Sequence, residues 1–559
     1  MMAGMLQWGC RLILVLALAT TAAASPWTEG NKRLLCIRVD FSDHPGGPCT
    51  DAQAQDCFRR LEEFYRENSF GRFSVTTTVT PVLRMPKTDQ HYYKGLHGSG
   101  GQEIIQDARK AAKQRGFDTD PYEFEIVTWN SKGPGAGIGA IGGKGLRLVN
   151  GFGYGGARHE LGHNLGLPHT HWWETFDGSI AGPGKWRDYG DPCDPMGAGG
   201  DGRTDHFSLR SKVLLNWITE SQITKVDKSG TYRIYPQDTD GVPGDASRGL
   251  RIVRDRKIIY WVELRQRITN DVRVMNGVRV HRSYTDNNEL ALMDMTPLSQ
   301  RGAHDAPLLL GQTFSDEEAG IHITPIGKNG TSPESVDVVV QLGKFARNGK
   351  PTMKPIGLSA EMADRRTFGF GCDATDPDGD PLACAWDFGD GTFDWRPAVT
   401  HRFEQEGRDF VVQCVATDMK GKTVTRSVMV SPGNAAAKPS RLSGAVMGLD
   451  GKPVEAARVW TDDQHVTVSD VEGRFTLANL KARGPMNVNA QKVGMLFLPL
   501  RVAKVSNAPA TIREYPVQLD GGVKSEAGII LRDGARLTTP RLFKPPVEIT
   551  IVSQTDSTN

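Results

Sequence analysis

Three histidines and one glutamate lie close together in the sequence, at a spacing that can hold a metal ion: His159, Glu160, His163 and His169. Histidines four residues apart project from the same face of a helix, so His159 and His163 can bind one ion. Gly166 allows a left-handed turn after that helix, which returns a third histidine to the site. Three imidazoles with a fourth position left to water are typical of catalytic zinc. We therefore predict one Zn²⁺ bound by the three histidines, with Glu160 as the general base that activates water.

The third ligand has one competitor, His171, which follows shortly after it in the sequence. The three-residue step from Gly166 to His169 fits the motif, whereas the step to His171 does not. We therefore expect His169 to complete the ligand set.

Residues 133–144 are rich in glycine and contain a formal G-x-G-x-x-G. A dinucleotide-binding loop needs a helix directly after it, but the residues that follow favour a strand or a turn. We expect an edge strand with small side chains, to which an extended peptide can add by backbone pairing. A plain loop stays open as the alternative.

The segments around these motifs alternate between strand and helix patterns. Residues 33–41, 73–79 and 124–129 favour strands because they are rich in apolar and β-branched side chains. The apolar side chains of residues 57–65 recur at helical spacing, and residues 102–115 also favour a helix. This alternation predicts an α/β domain over residues 26–222.

The run from His159 to His169 matches the elongated zinc motif of the metzincins, and its text resembles the gametolysin-like metallopeptidases in particular. Similar text occurs at residues 64–71 and 206–217. The resemblance covers about residues 33–220 and extends more weakly into the segment that follows. It implies a metzincin-type zinc peptidase domain.

The resemblance also implies a methionine-containing turn beneath the metal, after the third ligand. Residues 189–197 are similar to the gametolysin form of this turn, which makes Met196 the methionine that packs under the site. An ordinary loop methionine stays open as the alternative. Tyr189, at the start of the segment, could stabilise an oxyanion, although we expect buried packing for it.

After the first domain, short alternating segments replace helices and predict a β-sandwich over residues 223–345. Residues 352–432 resemble a PKD domain, an immunoglobulin-like sandwich in which Trp386 fills the core. Residues 440–521 resemble the regulatory-like β-sandwich of carboxypeptidases, and residues 522–559 form a C-terminal tail. The predicted fold is multidomain: an α/β metzincin-type zinc peptidase domain followed by three β-sandwich modules.

Eight cysteines are present, and the one in the predicted signal peptide leaves seven in the mature chain. An odd number means that at least one thiol is unpaired or pairs between chains. Cys49 and Cys57 are close enough to close a small loop in an oxidising compartment. Cys372 and Cys414 fall on strands that can face each other in the PKD sandwich, which permits a disulfide there.

The acidic segment Asp376–Asp380 places several carboxylates close together. Such oxygens are the ligands that Ca²⁺ prefers, but the twelve-residue loop with its terminal glutamate is missing. Ca²⁺ therefore stays a secondary alternative beside the catalytic Zn²⁺.

The chain has 559 residues, with 24% charged residues and a formal net charge of +2. This balance excludes an electrostatically driven nucleic-acid binder, and 38% hydrophobic residues exclude a protein with many membrane spans. Arg11, a short apolar run and then small residues predict a secretory signal peptide at residues 1–24, cleaved near Ala24 or Ser25. We expect a secreted protein whose mature form binds neither nucleic acid nor membrane.

Together these features predict a secreted zinc-dependent metalloendopeptidase that hydrolyses peptide bonds of extracellular proteins, such as extracellular-matrix or cell-wall glycoproteins. Two alternatives stay open: a catalytically silent adhesion or matrix-binding protein built from β-sandwich modules, and a zinc hydrolase that acts on non-peptide bonds. The presence of Glu160 beside the histidines favours activity. Few residues separate the predicted cleavage point from the first strand, so we expect little or no propeptide latency.

Overall fold

The computed structural model describes residues 27–94, 100–133, 135–198, 206–286, 288–297, 299, 301–360, 365–433, 441–462, 465–480, 485–502 and 509–514, and the backbone of short strands between residues 518 and 550. The predicted signal peptide, residues 1–24, lies outside the described residues. No helix of the described part is both long enough and apolar enough to cross a membrane.

The first part of the chain alternates strands with helices. In chain order its elements are β1 (Gly30–Asp40), α1 (Asp51–Asn68), β2 (Phe73–Val79), β3 (Leu83–Arg84), α2 (Asp89–Lys94), α3 (Gly100–Gln114), β4 (Phe124–Trp129), β5 (Ala136–Gly139), β6 (Gly145–Val149), α4 (Tyr154–Asn164), β7 (Thr170–Thr175), β8 (Gly184–Arg187) and α5 (Leu209–Leu214).

One sheet of this part has the strand order β2-β1-β4-β6-β5. Strands β2, β1, β4 and β6 are parallel, and β5 is antiparallel to β6 at the edge. Leu34 and Cys36 of β1 pack in the same core as α1 and α4, whereas Leu35 and Ile37 pack in the core that contains α3. Successive side chains of a strand point to opposite faces, so helices cover both faces of this sheet. The glycine-rich segment forms an edge strand, as the sequence predicts.

The second part of the chain is dominated by strands. Its elements are β9 (Ile223–Val226), β10 (Gly230–Ile234), β11 (Gly249–Val253), β12 (Ile258–Glu263), α6 (Val272–Met275), β13 (Gly277–Tyr284), β14 (Leu290–Met293), β15 (Leu308–Leu309), β16 (Phe314–Asp316), β17 (Ile321–Lys328) and β18 (Val336–Leu342). They form a sheet of order β10-β18-β17-β16 and contribute to a larger one, β8-β7-β14-β13-β12-β11-β9.

This larger sheet joins the two parts of the chain. Strand β7, which directly follows His169, pairs in parallel with β14, so that Thr170 lies opposite Leu290. Strands from both sides of the predicted boundary between residues 222 and 223 therefore belong to one sheet. A boundary drawn where the helical pattern ends does not detect this pairing, because the pairing joins segments that are far apart in sequence.

The third part consists of small sheets. Its strands are β19 (Thr352–Met353), β20 (Gly357–Ala360), β21 (Thr367–Gly371), β22 (Ala374–Thr375), β23 (Ala383–Asp387), β24 (Phe393–Asp394), β25 (Ala398–Arg402), β26 (Phe410–Thr417) and β27 (Thr423–Val430). Sheets β20-β21-β25 and β24-β23-β26-β27 enclose a core in which Trp386 is buried, and its indole N–H donates to the Arg396 carbonyl at 2.8 Å. The tryptophan thus fills the core as predicted.

The last part also consists of strands. They are β28 (Leu442–Met447), β29 (Arg458–Trp460), β30 (Val466–Val468), β31 (Arg474–Leu477), β32 (Met486–Gln491), β33 (Leu500–Val502), β34 (Ala510–Arg513), β35 (Gln518–Asp520), β36 (Val523–Ser525), β37 (Gly528–Ile530), β38 (Arg536–Thr538) and β39 (Glu548–Thr550). Sheets β31-β28-β34 and β30-β29-β32-β33 share a core of their own. The described chain is thus mostly β-sheet in many small sheets with few helices, which agrees with β-sandwich modules after the first part.

Candidate metal centre

Helix α4 carries the first three residues of the predicted site. Its Ala157 and Leu161 are fully buried in the core shared with α1, and the Tyr65 hydroxyl of α1 donates to the Arg158 carbonyl at 2.7 Å. At the other end, the Asn164 side-chain amide donates to the carbonyls of Ala140 and Gly145. The helix is therefore fixed against α1 on one side and against the β5–β6 turn on the other.

The three predicted histidine ligands come together in space. His159 and His163 lie on α4, and His169 follows the turn at Gly166, whose φ of +105° is in the left-handed region that favours glycine. One nitrogen atom from each imidazole lies within 4.8 Å of the other two. The closest approach is 3.0 Å, between Nε2 of His163 and Nε2 of His169.

Backbone carbonyls orient two of these imidazoles. Nδ1 of His159 is 2.8 Å from the Pro195 carbonyl oxygen, and Nδ1 of His163 is 2.7 Å from the Leu167 carbonyl oxygen. A ring nitrogen that faces a carbonyl oxygen carries the proton, which leaves Nε2 with a free lone pair. This is how metal-binding histidines are commonly oriented.

The distance between two of the imidazoles is compatible with a tetrahedral Zn²⁺. With Zn–N bonds of about 2.0–2.1 Å, two nitrogen ligands lie about 3.4 Å apart, close to the 3.0 Å between the Nε2 atoms of His163 and His169. Burial lowers the pKa of His159 and of His169 to about 4, so both imidazoles are neutral, as ligands must be, at neutral pH.

Glu160 lies beside the three imidazoles with its carboxylate turned toward β5. Its Oε2 atom is buried and has no hydrogen-bond partner among the described residues. Burial raises the pKa of Glu160 to about 7, while the backbone N–H of Gly139 opposes the shift. A carboxylate in this state can exchange a proton with a water molecule at neutral pH.

Glycines on β5 allow the edge strand to approach α4 closely. A Cβ at Gly137 would lie 2.4 Å from Oε1 of Glu160, and one at Gly139 would lie 2.5 Å from the Glu160 carbonyl oxygen. The carbonyl oxygen belongs to the helix backbone and cannot move aside, so position 139 requires glycine, whereas a side chain at position 137 would displace the Glu160 carboxylate. The edge strand therefore forms one wall of the site.

The loop of residues 189–198 forms the floor. Met196 is fully buried, and a Cβ at Gly162 of α4 would lie 2.5 Å from its Sδ atom. The Met196 carbonyl accepts from the Thr170 amide at 2.9 Å, just after the third histidine. The structure thus places Met196 under the histidine helix; its role as the methionine of a metzincin-type turn stays a prediction.

Tyr189 does not have the buried position that we expected. Its side chain is 45% exposed, and its ring centroid lies 4.0 Å from that of His169. The backbone of Tyr189 is in the left-handed region, with φ of 55°, and its side chain lies over the site rather than in the core. His171 lies outside the ligand group, with its Nδ1 3.2 Å from Asp188.

A cleft of about 590 Å³ lies along the site, lined by β5, the end of β6, the start of α4 and the floor loop. Glu160, His159 and Tyr189 all line this cleft. It is large enough for several residues of an extended peptide, and it leads directly to the histidine cluster.

The sequence interpretation missed a buried ionic network below the floor loop. Asp191 of this loop pairs with Arg279 and His281 of β13, and Arg279 also pairs with Glu263 of β12. Each of these side chains is at most 2% exposed. The only sequence signal was the presence of charged residues in otherwise apolar strands, such as Val278 to His281.

The two predicted cysteine pairs lie in different parts of the chain, Cys49 and Cys57 in the first part and Cys372 and Cys414 in the third. The thiols of Cys372, Cys384 and Cys414 lie within 4.8 Å of one another, with 3.0 Å between Sγ of Cys372 and Sγ of Cys384. A third thiol thus competes for the predicted Cys372–Cys414 pair. Cys49, Cys57, Cys372 and Cys414 are all free thiols in this structure, so neither predicted disulfide is formed.

The three carboxylates of the acidic segment also lie within reach of one ion: Asp376, Asp378 and Asp380. The Lys420 ammonium group already contacts Asp380 and would compete with a cation there. Calcium at this segment stays a prediction.

One comparison with known families concerns the third part of the chain. A family model of the PKD domain matches residues 348–431. The chain contains a PKD domain. No curated protein was found to match the chain.

Solved structures are similar to parts of the chain. The PKD1 domain of Vibrio anguillarum Epp is 26% identical and covers 16% of this chain and 100% of that one, with a TM-score of 0.14. The PKD1 domain from the Vibrio cholerae metalloprotease PrtV is 24% identical and covers 15% of this chain and 99% of that one, also with a TM-score of 0.14. The N-terminal Ig1-2 module of the Drosophila receptor protein tyrosine phosphatase DLAR is 13% identical and covers 30% of this chain and 98% of that one, with a TM-score of 0.13.

Proposed function

We propose that the protein is a secreted, zinc-dependent metalloendopeptidase of the gametolysin-like metzincin type, which hydrolyses peptide bonds of extracellular proteins. The observation that carries the proposal is the meeting of three histidine nitrogens within 4.8 Å beside the buried carboxylate of Glu160. The other parts of the chain, the PKD domain among them, would hold the enzyme near its substrate, such as an extracellular-matrix or cell-wall glycoprotein.

His159, His163 and His169 would hold the ion through their Nε2 atoms. When bound, Zn²⁺ lowers the pKa of water and polarises the carbonyl of the substrate. Glu160 accepts a proton from water at its Oε2 atom and passes it to the nitrogen of the leaving amine. The Tyr189 hydroxyl, on the exposed side of the cleft, can donate to the oxyanion.

The edge strand favours a peptide as the substrate. Strand β5 is the last strand of its sheet, so its outer N–H and C=O groups can pair with an extended chain. Pairing of this kind recognises a backbone, which a non-peptide substrate lacks. It would align the scissile bond along the cleft and across Glu160.

The test combines metal content with activity. We expect about one zinc per chain, and we expect cleavage of a denatured protein substrate that stops when a chelator is added. Glu160→Gln should keep the zinc and lose on the order of 10²-fold or more in kcat, because the proton acceptor is removed. Glu63→Gln changes an exposed glutamate of α1 in the same way and should keep full activity.

Two results would contradict the proposal. If Glu160→Gln were as active as the unchanged protein, the general-base role would be wrong. If the zinc-loaded protein cleaved no protein substrate but bound a matrix preparation, the protein would be an adhesion protein with a silent peptidase domain.

A further inference from the structure

Below the floor loop, the structure buries more charge than a stable core requires. Glu263 and Asp191 are fully buried, and Arg265 and Arg279 are almost fully buried. Ionic groups lose their hydration on burial, and apolar residues of similar volume would often be at least as stabilising. Such a network therefore acts chiefly by holding a neighbouring segment in one conformation. The segment that it contacts is the floor loop.

The network contacts the floor loop at several points. The Arg279 guanidinium group pairs with Asp191, and His281 Nε2 lies 3.0 Å from the other oxygen of that carboxylate. The Arg265 guanidinium group donates to the Cys193 carbonyl at 2.5 Å. These basic residues all belong to residues 223–345, whereas the atoms they contact belong to the loop.

Within the loop, two aspartate carboxylates accept hydrogen bonds from backbone amides and so fix the loop backbone. Asp191 Oδ1 accepts from the Cys193 amide at 2.9 Å, and Asp194 Oδ1 accepts from the Met196 amide at 2.8 Å. The Pro195 carbonyl, which belongs to the same peptide group as the Met196 amide, lies 2.8 Å from Nδ1 of His159. These contacts, joined by the peptide bonds of residues 193–196, lead from the second part of the chain to a histidine of the site.

We propose that Arg279 is a positioning residue for the histidine site: together with Glu263 and His281 it fixes the floor loop and, through the Pro195 carbonyl, the orientation of His159. The inference rests on the proposed function only in taking zinc as the ion. It makes the sheet of residues 223–345 an integral part of the site rather than an accessory module. Glu263 supports Arg279, because its Oε1 accepts from Arg279 at 2.8 Å while its Oε2 accepts from the Leu209 amide at 2.6 Å.

The experiment compares two arginine-to-methionine variants of the same sheet region. Arg279→Met removes the ion pair with the loop. Arg254→Met is the matched control, because Arg254 pairs with the buried Asp316 away from the loop. Each variant is characterised in the full chain by amide hydrogen exchange of residues 189–198, by the zinc dissociation constant, and by the visible spectrum of the Co²⁺-substituted protein.

We expect Arg279→Met to speed exchange in the loop by roughly tenfold or more and to weaken zinc binding by about 10- to 100-fold. The Co²⁺ spectrum should also change, because a reoriented imidazole alters the ligand field. Arg279→Lys keeps the charge but cannot contact Asp191 and Glu263 at the same time as a guanidinium group does. We therefore expect smaller changes in loop exchange and zinc affinity than in Arg279→Met. Arg254→Met should leave all three readouts unchanged, even where it lowers thermal stability.

If Arg279→Met does not fold, His281→Leu decides, because it removes only the contact with one Asp191 oxygen and should change the same readouts less. Unchanged exchange and zinc affinity in the folded variant would overturn the inference, and so would equal losses in Arg254→Met. A wild-type protein that binds zinc but cleaves no protein would contradict the proposed function and leave this inference intact. If the wild-type protein bound no zinc, the test would be amide hydrogen exchange of residues 189–198 alone. Equal exchange in Arg279→Met and in the unchanged protein would then overturn the inference.

Discussion

The contact between α4 and the floor loop leads to a sharp prediction for Gly162→Ala. The new Cβ would lie 2.5 Å from Met196 Sδ, 3.4 Å from Met196 Cε and 3.6 Å from the Phe207 ring. An ordinary contact needs about 3.4–4 Å, so the sulfur must move by about 1 Å. Met196 is fully buried. Inserting a methyl group into a packed core of this kind costs about 1–3 kcal/mol.

The same substitution also gains stability, because alanine favours a helix interior over glycine by about 0.8–1.0 kcal/mol. Gly155 serves as the control without a clash: it is exposed in the first turn of the same helix, and a Cβ there would have no atom within 4 Å. We expect Gly155→Ala to be neutral or slightly stabilising. The difference between the two alanine variants should therefore be the cost of the clash, about 1–3 kcal/mol.

The measurement is the free energy of opening of α4, obtained from amide hydrogen exchange of residues 154–165 at increasing denaturant. A local measurement is needed because unfolding of a multidomain chain is not two-state. Met196→Ala supplies a double-mutant cycle: by removing the sulfur it should make Gly162→Ala much less costly than in the unchanged protein. If Gly162→Ala were as stable as Gly155→Ala, or if the two changes at 162 and 196 were additive, the proposed packing would be wrong.

Three other predictions concern the cleft and the network. Gly137→Ala places a Cβ 2.4 Å from Glu160 Oε1; it should lower kcat on the order of 10²-fold with zinc content unchanged, and full activity would contradict the close packing of β5. Tyr189→Phe should lower kcat by about 10²-fold with little change in KM, and an unchanged kcat would mean that the hydroxyl only packs. Although burial opposes it, neighbouring guanidinium groups lower the pKa of Glu263 to about 2. Its ionised form therefore stabilises the fold above pH about 4.5, and this stability is lost as the pH falls toward 2. Glu263→Gln should flatten the dependence on pH of the opening free energy of β12, measured by amide hydrogen exchange in this window. A decrease toward low pH as steep as in the unchanged protein would contradict the role of Glu263.

The sequence predicted the local features well, because these depend on neighbours in the chain. The buried strand β4 spans residues 124–129, and β2 spans residues 73–79, as the apolar patterns indicated. The histidine spacing predicted a cluster because one helix turn and one glycine turn set its geometry. Such signals need no knowledge of distant partners.

What the sequence did not predict depends on pairings between distant segments. Asp191 and Arg279 are 88 positions apart, and nothing near either residue identifies the other. The parallel pairing of β7 with β14 likewise joins the strand after His169 to a segment that pattern analysis had assigned to a separate module. Both features connect the second part of the chain to the same loop and the same histidines. Because both features contact the segment that carries the histidines, residues 223–345 are part of the site. A fragment that ends near residue 222 should therefore lose zinc affinity even though it retains His159, His163 and His169.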